Sequence, residues 1–400
     1  MRTALLSLLF AAGVALAEEG APKPLTFGGF IHADAIFFDQ DPLSTLRIAD
    51  VQDVANFRRA RLIATGEIAE EIDYRFGVDF GGPGRPSFLD TWVDFTLLGT
   101  KAQDDADAAV VRLGRFKAPQ GMAALEASTD LIFLERSTPL TFVPFRQAGV
   151  RGLGTYGERS GTWSVAGYRY AANVFGAVAG DPGYGVAGRL TRVFGAADAG
   201  LLHVGASSST QTPNDGNLRF QATPGVGFNE LDFRSDASPV PSFIDTGNFD
   251  AGRYDLHGLE LAGSIGPVLL RSEAFAAFVG LPAGGRADFG GAYAEAAWVV
   301  VGNARPYDRL RGLFGGLTPE TDVPDGGPGA LELALRYDAI DLSDAAVERG
   351  GTLSNWTLGA TWAWTPRLKF QANYVLSDAE RDNEDAGTAR ITAVRMQYVF

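Results

Sequence analysis

The last eleven residues of the chain, 390–400, alternate between two faces of an extended strand. One face carries Val394, Met396, Tyr398 and Phe400, and a period of two with one apolar face predicts a β-strand that lies half in an apolar phase. We interpret it as the closing strand of an outer-membrane barrel, which pairs with the first strand and places its aromatic residues in an interfacial girdle. The two aromatic residues Tyr398 and Phe400 are then the predicted signal for the barrel-assembly machinery. The alternative is the buried last strand of a soluble β domain.

The same alternation recurs in sixteen segments between residues 26 and 400. In the clearest segment, residues 72–80, five apolar side chains alternate with a polar face that includes Asp73, Arg75 and Asp79. A soluble β-sandwich shows the same pattern, but aromatic residues near strand ends and long loops on alternate connections favour the membrane. The prediction is an all-β fold, a transmembrane antiparallel β-barrel of about sixteen strands; fourteen or eighteen strands remain open.

Two connections stand out from this pattern. Residues 118–146 form a long segment whose apolar run, residues 131–134, needs a surface to pack on, and we predict that it folds inward and narrows the barrel. The alternative is an external loop at a subunit contact. The candidate constriction residues are Glu135, Arg136 and Arg146. Residues 302–329 are irregular and fall on the periplasmic side, where the strand count predicts a short turn.

The chain begins with a segment typical of exported proteins. Arg2 precedes an apolar run at residues 4–16, and Ala15 and Ala17 form an A-x-A cleavage site before Glu18. This run is too short for a membrane-spanning helix. The predicted organisation is a signal peptide at residues 1–17, a short periplasmic segment at 18–25 and the barrel at 26–400.

Composition excludes several classes of function. Fifty Gly, 27 Phe, 11 Tyr and 6 Trp favour β structure with many turns, and there is no Cys for a disulfide framework or a thiolate metal site. The net charge of −14 argues against a nucleic-acid partner. The three His residues lie far apart and no hydrolase motif surrounds them, so the sequence predicts no enzyme, no cofactor and no metal site.

Several runs resemble the phosphate-selective porin family, the O and P porins. They are FRRARL at residues 57–62, IDYRF at 72–76, VRLGRFK at 111–117 and FLERS at 133–137. The resemblance extends from about Phe27 to Phe400 and implies a sixteen-stranded, usually trimeric porin with inward-folded loops and an anion path of arginine and lysine. This chain departs from the lysine cluster of phosphate-selective members, because only Lys117 and Lys369 of its four lysines lie on candidate strands.

The alternation assigns a set of basic side chains to the lumen. The predicted pore-lining residues are Arg59, Arg61, Arg75, Arg112, Lys117, Arg336, Lys369 and Arg395. Arg58 falls on the opposite face, unless the strand end rotates it inward. A guanidinium offers a fork of donors that suits phosphate and carboxylate and stays charged at any relevant pH. The alternative is that these cations pair with lumen acids such as Asp73, Asp79, Asp90, Asp94, Glu260 and Glu332.

The sequence therefore predicts a porin of the bacterial outer membrane for passive diffusion of small hydrophilic solutes, with anions such as phosphate favoured. Its expected partners are outer-membrane lipid, the barrel-assembly machinery and two further copies in a homotrimer. One alternative is a general or sugar porin whose arginines are tied up in ion pairs. Another is a secreted β surface protein without a pore.

Overall fold

The structure, a computed structural model, describes residues 25–81, 86–99, 107–170, 183–196, 200–213, 216–226, 240–382 and 384–400. The predicted signal peptide and residues 18–24 lie outside this range. The sixteen long strands are β1 (Thr26–Gln40), β2 (Val54–Ala69), β3 (Ile72–Asp79), β4 (Thr91–Leu98), β5 (Ala109–Lys117), β6 (Arg146–Tyr156), β7 (Gly161–Tyr170), β8 (Gly183–Ala196), β9 (Gly200–Gln211), β10 (Arg253–Ile265), β11 (Val268–Gly280), β12 (Arg286–Val301), β13 (Ala330–Asp341), β14 (Gly351–Ala363), β15 (Leu368–Arg381) and β16 (Glu384–Val399).

These strands form a closed antiparallel barrel. Each strand pairs with the next along the chain, and β16 returns to pair with β1 in a register that places Arg395 opposite Asp34. Each of the sixteen predicted segments overlaps one of these strands, so the predicted fold class is confirmed. Two short helices, α1 (Pro42–Arg47) and α2 (Met122–Leu125), lie in connections. No helix in the described part of the chain has the length and apolar character to cross a membrane.

The two faces of the wall follow from the strand period of two. In β16, Val394, Met396 and Tyr398 are 41–44% exposed on the outside, whereas Arg395 and Gln397 are 2% exposed inside. An apolar outer face suits lipid, and a polar inner face suits a lumen filled with water and polar groups. The C-terminal strand therefore has the half-apolar character that its alternation predicts.

The barrel wall differs in height around its circumference, because its strands differ in length. We call the part with the shortest strands the low side. Strands β3 and β4 have 8 residues each and β5 has 9, whereas the strands from β10 to β16 have 12 to 16 residues. At the low side, β3 pairs with β4 over only four residues, and a two-residue strand, Ser87–Phe88, pairs with the end of β3.

Two of the connections in the described part of the chain enter the barrel from opposite rims and occupy much of its interior. The first inward segment is residues 118–145, between β5 and β6, and the second inward segment is residues 302–329, between β12 and β13. Met122, Ile132 and Phe133 of the first share one buried cluster with Leu313 and Phe314 of the second. The predicted inward fold of the first segment is therefore present, and its apolar run packs against the barrel wall and the second segment. The irregular residues 302–329 are part of the same interior core.

Candidate solute path inside the barrel

One side of the barrel interior stays open beside the two inward segments. This cavity has a volume of about 400 Å³ and runs along the low side of the wall, from β2 to β8. Eight basic side chains line it, and Asp90 is the one acidic side chain among its lining residues in the described part of the chain. The basic residues are Arg61, Arg75, Arg112, Lys117, Arg146, Arg151, Arg189 and Arg311.

Five of these guanidiniums pair with carboxylates. Arg61 Nε lies 2.7 Å from Asp79 Oδ2, and Arg112 donates two hydrogen bonds of 2.7 and 2.8 Å to Asp94. The other three pairs are Arg146 with Asp90 at 2.9 Å, Arg189 with Glu260 at 2.7 Å and Arg311 with Asp308 at 3.6 Å. Asp79 and Asp94 reach their arginines from the neighbouring strand, so these two pairs also fix the orientation of the cations.

Two cavity arginines form no ion pair with a carboxylate of the residues that the structure describes. Arg75 makes no hydrogen bond and no ion pair with any described residue, although it lies in the electrostatic field of Asp90. Arg151 donates to the hydroxyl of Ser164 at 2.7 Å and to the carbonyl of Lys117 at 3.3 Å. These groups keep donors that form no ion pair with a carboxylate in the described part of the chain, and guanidinium donors of this kind suit an anion.

The predicted pore-lining set divides into two groups. Arg61, Arg75, Arg112 and Lys117 line the cavity. The others, Arg59, Arg336, Lys369 and Arg395, do not line it; they lie buried beneath the first inward segment. There Arg336 pairs with Asp338 at 3.1 Å, and Lys369 contacts the Thr129 carbonyl at 3.4 Å.

Glu135 explains the position of two of these buried arginines. Its carboxylate accepts Arg59 at 2.8 Å and Arg395 at 2.7 Å, and Arg58 also reaches it at 3.1 Å. Of the three constriction candidates, Glu135 and Arg136 are thus buried inside the first inward segment, where Arg136 Nε donates to the Ala123 carbonyl at 2.6 Å. Only Arg146 reaches the cavity.

The two strand lysines are held by backbone carbonyls of the first inward segment. Lys117 Nζ donates to the carbonyl oxygens of Ala124 and Glu126, each at 2.7 Å. Lys369 is 6% exposed.

At the C-terminus, Tyr398 and Phe400 point outward, and Phe400 exchanges two backbone hydrogen bonds with Gly29, of 3.0 and 3.1 Å.

Sequence reasoning missed three of the cavity arginines. Arg151 and Arg189 lie on strands whose alternation would have placed them on the polar face together with Leu153 and Thr191. Arg311 belongs to the second inward segment, where no periodicity indicates which side chains face the lumen. Its position at the cavity depends only on packing between residues that are far apart in the sequence.

Comparison with known proteins gives matches over nearly the whole chain. The model of the family described as phosphate-selective porin O and P matches residues 26–400. A relative from Caulobacter vibrioides, described as an uncharacterized protein, is 26% identical over an alignment of 365 residues that covers 86% of this chain and 68% of the relative.

Solved structures with the same fold are outer-membrane proteins. OmpT of Vibrio cholerae has a TM-score of 0.58 at 10% identity, covering 97% of this chain and 100% of OmpT. An anion-selective porin from Comamonas acidovorans has a TM-score of 0.56 at 12% identity, and the match covers 94% of this chain and 99% of that porin. OmpT described in its trimer form has a TM-score of 0.52 at 10% identity, also with 94% and 99% covered. At these identities the likeness concerns the fold alone.

The family match and the closed sixteen-stranded barrel together indicate a channel rather than an enzyme. An outward apolar wall around a partly open interior is the architecture of such a channel. The chain therefore belongs to the phosphate-selective porin O and P family, and it is a porin of the outer membrane.

Proposed function

We propose that this porin passes small anions by diffusion, and that the cavity along β2 to β8 is their path. The observation that carries the proposal is the charge of the cavity lining, with eight basic side chains and one acidic one. Low-dielectric walls lined by one sign of charge concentrate the oppositely charged solute. Arg75 and Arg151 are the proposed contacts for the anion, because neither forms an ion pair with a carboxylate among the described residues. Residues 1–17 are the proposed signal peptide, and Tyr398 and Phe400 the proposed assembly signal.

A trimer is proposed from the low side of the wall. Eight residues at about 3.3 Å each and a tilt of about 40° give a wall of roughly 20 Å, lower than the apolar band of about 25 Å. The outer face here exposes Phe27, Phe57, Phe76, Phe80 and Phe88. An apolar outer face also suits lipid, so it is the low wall rather than the exposed rings that favours a subunit contact here. Two neighbouring subunits would cover this side, as a trimer requires.

Planar-bilayer electrophysiology tests the anion path. We expect the purified protein to give a reversal potential of anion-selective sign in a KCl gradient, and a detergent-solubilised mass of three chains. Replacing Arg75 and Arg151 together by Gln should lower the anion-to-cation permeability ratio about threefold, because two uncompensated charges leave the path. Arg390→Gln is the matched control, since Arg390 is 66% exposed on its side chain and pairs with Asp39 outside the cavity.

A general diffusion pore is the second candidate. It is favoured by the five cavity arginines that already pair with acids, since paired charges contribute little to the field of the path. A reversal potential near zero in the wild-type protein would select this candidate. Equal effects of the double variant and of Arg390→Gln would remove Arg75 and Arg151 from the path.

A further inference from the structure

The cavity is not uniformly polar, as the lumen of a porin usually is. Apolar side chains from the wall and from both inward segments line it together with the arginines. They include Phe30, Leu89, Trp92, Leu125, Leu153 and Leu310. Apolar surface that faces water is unfavourable by about 25 cal/mol per Å², so a lining of this kind favours a solute that covers part of it.

Cations and aromatic rings alternate within this lining. The Arg112 guanidinium lies 3.8 Å from the centroid of the Trp92 ring, and its two hydrogen bonds to Asp94 hold it there. Arg61 lies 5.3 Å from the centroid of Phe30. A solute in this cavity therefore meets charge and flat apolar surface side by side, and arginine stacks readily on both protein and ligand rings.

The donors left for an anion are guanidiniums. Arg75 and Arg151 have the planar fork that matches a carboxylate in bidentate fashion. The amine of Lys117, by contrast, is engaged by two backbone carbonyls. A volume of about 400 Å³ lies within the usual range for small-molecule sites. Inorganic phosphate is compact and strongly hydrated, and it would leave the apolar lining facing water.

We infer that this path favours organic carboxylates with an aromatic or branched apolar part over inorganic phosphate. The inference rests on the proposed anion path and names its class of solute. The carboxylate contacts Arg75 or Arg151, and the apolar part lies along Trp92 and the leucine side chains. Passage needs no covalent step.

Competition between anions tests the inference on the purified full-length porin in planar bilayers. Benzoate, acetate and inorganic phosphate are added separately to KCl, and the concentration that halves the chloride current is measured for each. Benzoate should act at a concentration about tenfold lower than acetate or phosphate, because the ring adds apolar and cation–π contacts. Benzoate and acetate share the carboxylate, so the ratio of their half-blocking concentrations measures the contribution of the apolar ring.

A tryptophan pair provides the matched variants. Trp92→Leu should reduce the benzoate-to-acetate ratio about threefold, since a cation–π partner is removed. Trp356→Leu should leave the ratio unchanged, because Trp356 is 51% exposed on the outer face. If Trp92→Leu does not fold, the benzoate-to-acetate ratio of the wild-type protein alone tests the inference.

The outcomes separate the inference from the proposed function. Anion-selective reversal potentials together with equal action of benzoate and acetate would overturn the inference and leave the anion path intact. Stronger action of phosphate than of benzoate would also overturn it. A reversal potential without anion preference would instead remove the proposed function on which the inference rests.

Discussion

At the scale of single residues, Glu135 has the densest set of charged contacts in the described interior. Arg59 and Arg395 are fully buried on their side chains and both contact its carboxylate. Arg58 joins them although alternation places it on the opposite face. The β1–β2 register shifts here, with His32 opposite Arg59 and Ala33 opposite Phe57, so Arg58 is the extra residue of a β-bulge. A bulge turns consecutive side chains toward the same side.

Replacing Glu135 by Gln should destabilise the barrel strongly. The amide keeps the shape of the side chain but leaves buried guanidiniums without their shared counter-charge, and breaking a buried ion pair in this way costs about 3–5 kcal/mol. The measurement is the temperature at which the folded band disappears in a heat-modifiability gel, which should fall.

Asp39→Asn is the matched control for Glu135→Gln. Asp39 and Arg390 form an ion pair of 3.4 Å with side chains 73% and 66% exposed. Exposed ion pairs contribute about 0–1 kcal/mol to the stability of a folded protein, so this variant should behave like the wild type. An unchanged transition for Glu135→Gln would show that the carboxylate is dispensable.

At the scale of elements, the strands were predictable and the inward segments only in part. Strand alternation is a local property, so residues 72–80 and 390–400 reveal their faces without knowledge of any partner. Residues 302–329 give no such signal, because their burial depends on residues far away in the chain, such as Arg189, whose guanidinium donates to the Gly312 carbonyl at 3.0 Å. The sequence therefore identified residues 302–329 only as an irregular connection that breaks the alternation of long and short loops, where the structure has the second inward segment.

The same limit applies to the candidate site. Arg59 and Arg61 have the same alternation on one strand, yet only Arg61 lines the cavity. The difference arises because Glu135 of the first inward segment lies over Arg59. Which inward-facing residue a loop covers is a property of tertiary packing, and strand periodicity carries no information about it.

Arg305 is expected to hold the two inward segments together. Its guanidinium pairs with Glu332 at 2.6 Å and donates to the carbonyls of Asp130 at 2.6 Å and Gly315 at 3.0 Å. Replacing Arg305 by Ala should loosen the second inward segment, because its buried ion pair and its link to the first segment are lost together. We expect higher and noisier single-channel conductance than in the wild-type protein.

Arg309→Ala is the control on the same segment. Arg309 makes an exposed hydrogen bond of 2.9 Å to the Gly195 carbonyl and touches neither Glu332 nor Asp130. Its single-channel conductance should match the wild type. Wild-type conductance in a folded Arg305→Ala protein would mean that the second segment is held by its apolar cluster instead.

At the scale of the whole molecule, closure depends on β1, which pairs with β2 on one side and β16 on the other. Gly29 lies at this junction and exchanges backbone hydrogen bonds with Phe400. A side chain at Gly29 would overlap the Arg61 carbonyl oxygen and come within 2.7 Å of the Phe400 ring. The close approach of three strands therefore requires a residue without a Cβ atom.

Gly29→Val should prevent efficient closure of the barrel. The overlap with the Arg61 carbonyl involves backbone, which moves only if the β1–β2 ladder breaks, and an open edge has unpaired backbone groups that a membrane does not tolerate. The measurement is the yield of heat-modifiable protein after refolding into detergent micelles, which should fall to a small fraction of wild type. Gly167→Val on β7 is the control, because a Cβ atom there meets nothing within 4 Å. Equal yields for the two variants would mean that strand pairing elsewhere closes the barrel despite a displaced β1, whereas a loss confined to Gly29→Val would locate the closing step at this junction.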